Sequence, residues 1–198
     1  RSCSSPSAAD SRTRVKSSGC PEPRELSVPT PAYITALREV WGHRPLLLPG
    51  VSGVVLRGDP GQEQVLLGRR ADNGRWSLPA GIVEPSEQPA DCLVRELWEE
   101  TRVEVTVERL VSVVADSAIS YPNGDVCQYI SMTFRCRYLS GAATVGDDES
   151  LEVGWFDLGA LPDDLTELCR QRISAALSPE PRCQFLVGDQ VSSTASRC

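Results

Sequence analysis

The chain is poor in the residues from which many active sites are built. It has one histidine, His43, so no histidine-based metal site can be assembled from it. Its eight cysteines, at 3, 20, 92, 127, 136, 169, 183 and 198, form no CxxC pair. That argues against zinc, and the scatter reads as free thiols of a reducing compartment rather than a disulfide framework. Aromatic residues make up only 6% of the chain. No apolar run approaches the ~20 residues needed to cross a bilayer as a helix. A surplus of positive charge is also missing: the formal net charge is −7, which speaks against stable nucleic-acid binding. Lysine is nearly absent, with Lys16 alone against nineteen arginines, a bias that matches GC-rich coding and a bacterial source. These absences favour a cytoplasmic protein with no membrane partner.

What is present is a dense acidic pattern. Residues 81 to 103 read GIVEPSEQPADCLVRELWEETRV. Within it Glu96, Glu99 and Glu100 fall at i, i+3 and i+4, positions that share one face of a helix. Three like charges so close repel one another, and a hard divalent cation turns that repulsion into coordination. Such a cation keeps part of its coordination sphere for phosphate oxygen. A solvated acidic helix face is the plainer reading of a bare ExxEE.

The wider spacing decides between them. Gly81, Glu87, Arg95, Glu96, Leu97, Glu99, Glu100 and Val103 stand in the register of the Nudix box, and the chain resembles the Nudix hydrolases over about residues 45 to 177. One position departs, since Arg102 replaces the second glycine of the box. The opening YITALREVWGHRPLLLPG is similar to a bacterial subset described as MutT-like or ADP-ribose pyrophosphatase-like.

The resemblance implies metal-dependent hydrolysis of a diphosphate linked to another group, with Mg²⁺ or Mn²⁺. It implies Glu96, Glu99, Glu100 and the Ala80 carbonyl as metal ligands. Glu96 or Glu99 would take the proton of the attacking water, and Arg95 would fix the rotamer of a motif glutamate. A further carboxylate is expected before a later tryptophan-containing strand, where Glu149 fits and Asp147 and Asp148 are its neighbours. Candidates for substrate contact are Arg69, Arg70 and Arg75 for phosphates and Trp76 or Tyr129 for a base; each also reads as surface charge or core. The implied partner is a small nucleotide, and a homodimer is compatible with the pattern. A (deoxy)nucleoside triphosphate pyrophosphohydrolase is the rival enzyme reading. A non-catalytic nucleotide sensor is the rival of another class.

The expected fold is α/β, a Nudix-type α/β/α sandwich with a mixed central sheet. Residues 1–31, rich in Ser, Pro and Arg, read as a disordered tail. Residues 32–178 read as the domain with an N-terminal helix, and 179–198 as a loose tail. Tyr33, Ile34, Leu37 and Trp41 have helical spacing. LLLPGVSGVVLR and QVLLGRR read as strands around a GDPGQ turn, with a helix from about Glu87 to Thr101 capped by Ser86. PNGD reads as a hairpin turn before an alternating strand, and residues 165 to 177 as a last helix. In place of a helix-ending glycine, Arg102 must take positive φ at roughly 1 kcal/mol. Arg102→Gly is then expected to stabilise slightly with activity retained.

Overall fold

The computed structural model describes residues 31–121, 123–180 and 182–187. The tail reading of residues 1–30, the Pro122 corner of the PNGD turn and residues 188–198 lie outside the described residues. Helix α1 (Ala32–Trp41) is followed by strands β1 (Leu46–Arg57), β2 (Gln64–Arg70), β3 (Trp76–Ser77) and β4 (Ala80–Ile82). Then come α2 (Pro89–Thr101), β5 (Glu104–Ala115), β6 (Ile119–Ser120), β7 (Val126–Ser140), β8 (Ser150–Asp157), α3 (Glu167–Leu177) and β9 (Gln184–Phe185).

The strands form one mixed sheet. Its main order is β3-β2-β1-β7-β5-β9, with β4 on β1, β6 on β7 and β8 on β2. β1 runs parallel to β7 from Leu46↔Cys127 to Leu56↔Arg137. On its other edge β1 changes partner, pairing with β4 at Gly50–Ser52 and with β2 at Leu56–Arg57. That split opens the sheet beside β4 and delivers Ala80 and Gly81 to the gap.

The period-two alternation of β1 sorts its side chains between two layers. Val51 and Val55 pack with Cys92, Leu93 and Leu97 of α2, while Val54 and Leu56 pack with Cys169, Ile173 and Ala176 of α3. Gly53 belongs to the α2 face. A Cβ there would stand 3.1 Å from Leu93 Cδ1, so the missing side chain lets α2 lie close on the sheet. Helices on both faces of a mixed sheet make the expected α/β/α sandwich.

The ends of the helices show where local sequence signals misled. Ser86 does not cap α2; it sits in a turn at φ 71, and Gln88 holds the cap position with no side-chain bond. The helix starts instead at Pro89, whose fixed φ and absent N–H suit a first position. Its far end is as expected, with Arg102 in the left-handed region at φ 57, ψ 27. In α3 the start falls later than Leu165, because Thr166 accepts a bond from the Cys169 amide. Two arginines then bind the far end of α3: Arg109 donates to the carbonyls of Ala175, Ala176 and Ser178, and Arg135 to Ala176. Cations at a helix C-terminus oppose its dipole favourably. The segment after 179, expected to be loose, supplies β9, which pairs in parallel with β5 at Ser112 and Val113. No described helix is long and apolar enough to cross a membrane.

Candidate active site

The motif helix divides its residues by depth. Leu93 and Leu97 are fully buried against the sheet, and Glu100 is only 8% exposed. Glu96 is mostly buried, whereas the Glu99 side chain is 52% exposed. The i, i+3, i+4 carboxylates thus share a face without sharing an environment.

Arg95 organises the rim. Its Nε and Nη2 donate to the two oxygens of Glu87 at 2.8 and 3.1 Å. Nη1 stands 3.0 Å from both Glu96 Oε1 and Glu99 Oε2. The guanidinium beside Glu87 lowers that carboxyl to about 2. The folded form therefore holds fewer protons than the unfolded chain between the ordinary glutamate value and about 2. This contribution to stability is present above that window and lost as pH falls through it. We expect Glu87→Gln to lower the melting temperature at neutral pH, and its difference from the parent to vanish below about pH 2–3, read by thermal melts against pH.

Deeper in, negative charge accumulates with only partial relief. Burial pushes Glu96 up to about 7, with Glu99 and Glu149 adding to the shift while Arg95 opposes it. Burial also raises Glu100 well above the usual carboxylate range, reinforced by Glu96, Glu149 and Asp147. Glu149 is raised by burial and by Asp147. Arg70 offsets part of this at both Glu100 and Glu149. Carboxylates crowded out of water in this way form a donor set short of positive charge, which a hard divalent cation fits. Among the described residues, no three His, Cys, Asp or Glu side chains stand close enough to enclose an ion as they are.

Gly81 explains how Glu96 fits. A Cβ at Gly81 would fall 2.2 Å from both Cγ and Cδ of Glu96. The backbone there needs no positive φ, so the glycine supplies room, not flexibility. Of the other motif positions, Leu97 and Val103 are fully buried in the core under α2.

A small cavity of about 40 Å³ lies where the sheet is split, lined by Arg70, Asp72, Ala80, Glu100, Glu149 and Ser150 among others. It brings Glu149 and Ala80 together with Glu100. The loop before β8 is tied to the β2–β3 corner, since the Ala71 amide donates to the Glu149 carbonyl. Arg70 enters the same cavity in a two-point pair with Asp72, at 2.9 and 2.7 Å. Asp72 was not singled out in the sequence; its only signal was membership of a polar Ala-Asp-Asn-Gly turn.

Other substrate candidates lie elsewhere. Trp76 packs edge-on against Phe156 with ring centroids 4.6 Å apart and lies half-buried against the core below α3. Arg69 pairs with Glu152 and the Gly74 carbonyl. Arg75 is exposed at the tip of the corner. The Tyr129 hydroxyl bonds that of Tyr121 at 3.0 Å, and burial raises its pKa. His43 accepts a structural role, paired with Asp125 beside Arg38. The five cysteines among the described residues are free, four of them buried.

Comparison with known proteins agrees with this geometry. The NUDIX domain family profile matches residues 47–177. The chain is 34% identical over 133 residues to a MutT-like protein of Streptomyces ambofaciens, covering 67% of this chain and 79% of that protein. It is 32% identical over 120 residues to the NAD-capped RNA hydrolase NudC of Pseudomonas fluorescens, covering 60% of this chain but only 39% of that protein. Among solved structures, a MutT NUDIX hydrolase from Burkholderia pseudomallei superposes with a TM-score of 0.54 at 26% identity, over 66% of this chain and 98% of that one.

Proposed function

The chain belongs to the Nudix hydrolases, and from that premise we propose that it uses Mg²⁺ or Mn²⁺ to hydrolyse the diphosphate linkage of a nucleoside diphosphate derivative such as ADP-ribose. The observation that carries this reading is the cavity at which Glu100 of the motif helix meets Glu149, the Ala80 backbone and Arg70. Buried anions that repel one another are costly unless a cation is meant to join them. Glu96, Glu99, Glu100 and Glu149 would hold the ion, with Ala80 beside them; Glu96 and Glu99 each keep one oxygen on Arg95 and would offer the other. A divalent cation, when bound, neutralises phosphate oxygens and makes a water more acidic.

The chain's own residues supply the rest. The water oxygen forms a bond to phosphorus as the anhydride P–O bond breaks. The displaced phosphate leaves with the electron pair, and the proton of the water passes to a motif carboxylate. We assign that carboxylate as Glu96, because Arg95 fixes its Oε1 while Gly81 leaves its stem unobstructed. Arg70 is the cation that lines the cavity, available to phosphate oxygens, and substrate would draw it from Asp72. A diphosphate derivative is favoured over a triphosphate by the NudC resemblance. NAD, like ADP-ribose, joins adenosine to a second ribose through a diphosphate.

The test is a panel of ADP-ribose, NAD, nucleoside triphosphates and nucleotide sugars with Mg²⁺ and with Mn²⁺. ADP-ribose is expected to yield AMP and ribose 5-phosphate, with chelation by EDTA abolishing turnover. Release of pyrophosphate from triphosphates alone would favour the rival enzyme reading. No turnover of any diphosphate would leave a nucleotide sensor as the better account.

A further inference from the structure

We propose that Arg102, standing where the Nudix box has glycine, is a positioning residue. It clamps the loop between β7 and β8 onto the last turn of α2 and thereby holds Asp147 and Glu149 against Glu96 and Glu100. The proposal rests on the reading of those carboxylates as the cation site.

The contacts converge on one residue of the loop, Gly146. Its amide donates to the Glu100 carbonyl at 2.9 Å, and its carbonyl accepts from Arg102 Nη2 at 2.6 Å. A Cβ on Gly146 would lie 2.0 Å from the Glu99 carbonyl oxygen and 3.0 Å from Arg102 Nε. The loop therefore touches the helix backbone on one side and the guanidinium on the other. Two further points of contact flank it. Thr144 donates to the Thr101 carbonyl at 3.1 Å, and Gly141, at φ 98, has room for no Cβ against the Arg102 carbonyl. The guanidinium is itself steadied over the Trp98 ring at 5.8 Å and near the Trp98 carbonyl.

Asp147 and Glu149 follow within three residues. The Glu149 amide donates to Asp147 Oδ1 at 2.9 Å, which fixes one carboxylate against the backbone of the other. A displacement of Gly146 would therefore travel directly to both. Glycine at 102 would keep the left-handed helix end and the two backbone bonds but lose the charged donor to Gly146. Charge-assisted bonds are the stronger class. The sequence-based expectation that Arg102→Gly is benign considers only the backbone, and the side-chain contact reverses it for function.

The experiment compares Arg102→Gly, Arg102→Asn and Arg102→Lys with the parent. The readouts are Mn²⁺ affinity by electron paramagnetic resonance, amide exchange at Thr144 and Gly146, and melting temperature. Glycine and asparagine both tolerate positive φ, and neither reaches Gly146. We expect both to weaken Mn²⁺ binding about tenfold, ~1.4 kcal/mol, and to speed exchange at Gly146 about tenfold. The melting temperature should stay near the parent's, because relief of the left-handed cost offsets the lost bond. Lysine, which restores a charged donor, should recover most of the affinity. Parent-like Mn²⁺ affinity in Arg102→Gly would overturn the clamp alone. Failure of the parent to bind Mn²⁺ more tightly than Glu100→Gln would overturn the carboxylate reading as well.

Discussion

Glu100→Gln is expected to lower kcat about a thousandfold while making the metal-free protein more stable. Loss of a partner outside the ligand shell costs roughly tenfold to a hundredfold, and loss of a ligand should cost more. The gain in stability follows from the surroundings of the carboxylate. Glu100 is buried and faces the negative charges of Glu96, Glu149 and Asp147, and Arg95 reaches Glu96 and Glu99 but not Glu100. An amide of the same shape removes the repulsion and brings a donor to the neighbouring carboxylates. A gain of ~1 kcal/mol would raise the melting temperature by about 2–4 °C for a chain of this size. Saturating Mg²⁺ should invert the order. A ligand at a hundred times its dissociation constant stabilises by ~2.7 kcal/mol, and only the parent would receive that in full. The check is a pair of melts with and without Mg²⁺ for both proteins. A variant that melts below the parent in both conditions would make Glu100 a structural residue and remove the basis of the cation site. Sites that trade stability for charge density are common where function requires it.

The same residues show how far sequence alone reaches. The bounds of β2 match the QVLLGRR stretch, because its Val-Leu-Leu run is bracketed by an Asp-Pro-Gly turn and a polar corner. The left-handed end of α2 at Arg102 followed from the place of a missing glycine. Depth along the helix was not legible. Spacing places Glu96, Glu99 and Glu100 on one face but does not say that Glu99 is drawn outward by Arg95 while Glu100 is buried. That division depends on residues far away in sequence, Glu149 on the loop before β8 and Arg70 at the end of β2. Trp76 shows a related limit: the sequence left it open between core and base stacking, and only the fold turns its short strand onto Phe156 of β8. Short strands such as β9 carry too few residues for any period to register, and tertiary pairing with β5 creates them.

Gly81→Ala is expected to disable the site through a single steric contact. The alanine backbone is permitted, since Gly81 does not have positive φ, so any effect must come from the added methyl. That methyl would occupy space held by the stem of Glu96, 2.2 Å from Cγ and Cδ, well inside van der Waals contact. β4 is pinned on β1 by the pairs Val51↔Gly81 and Ser52↔Ala80, so the strand cannot easily retreat. The flexible partner yields, and Glu96 leaves its place beside Arg95 Nη1. Overpacking of this kind costs ~1–3 kcal/mol, so the protein stays folded while kcat falls on the order of a hundredfold, the scale of losses from small misplacement of a reacting group. A double-mutant cycle with Glu96→Ala separates this cause from general damage. If the glycine acts only by making room for Glu96, Gly81→Ala will destabilise the parent and weaken its Mn²⁺ binding. It will add nothing to either in the Glu96→Ala background. Equal penalties in both backgrounds would show that β4 itself is distorted, and that Gly81 serves the strand rather than the carboxylate.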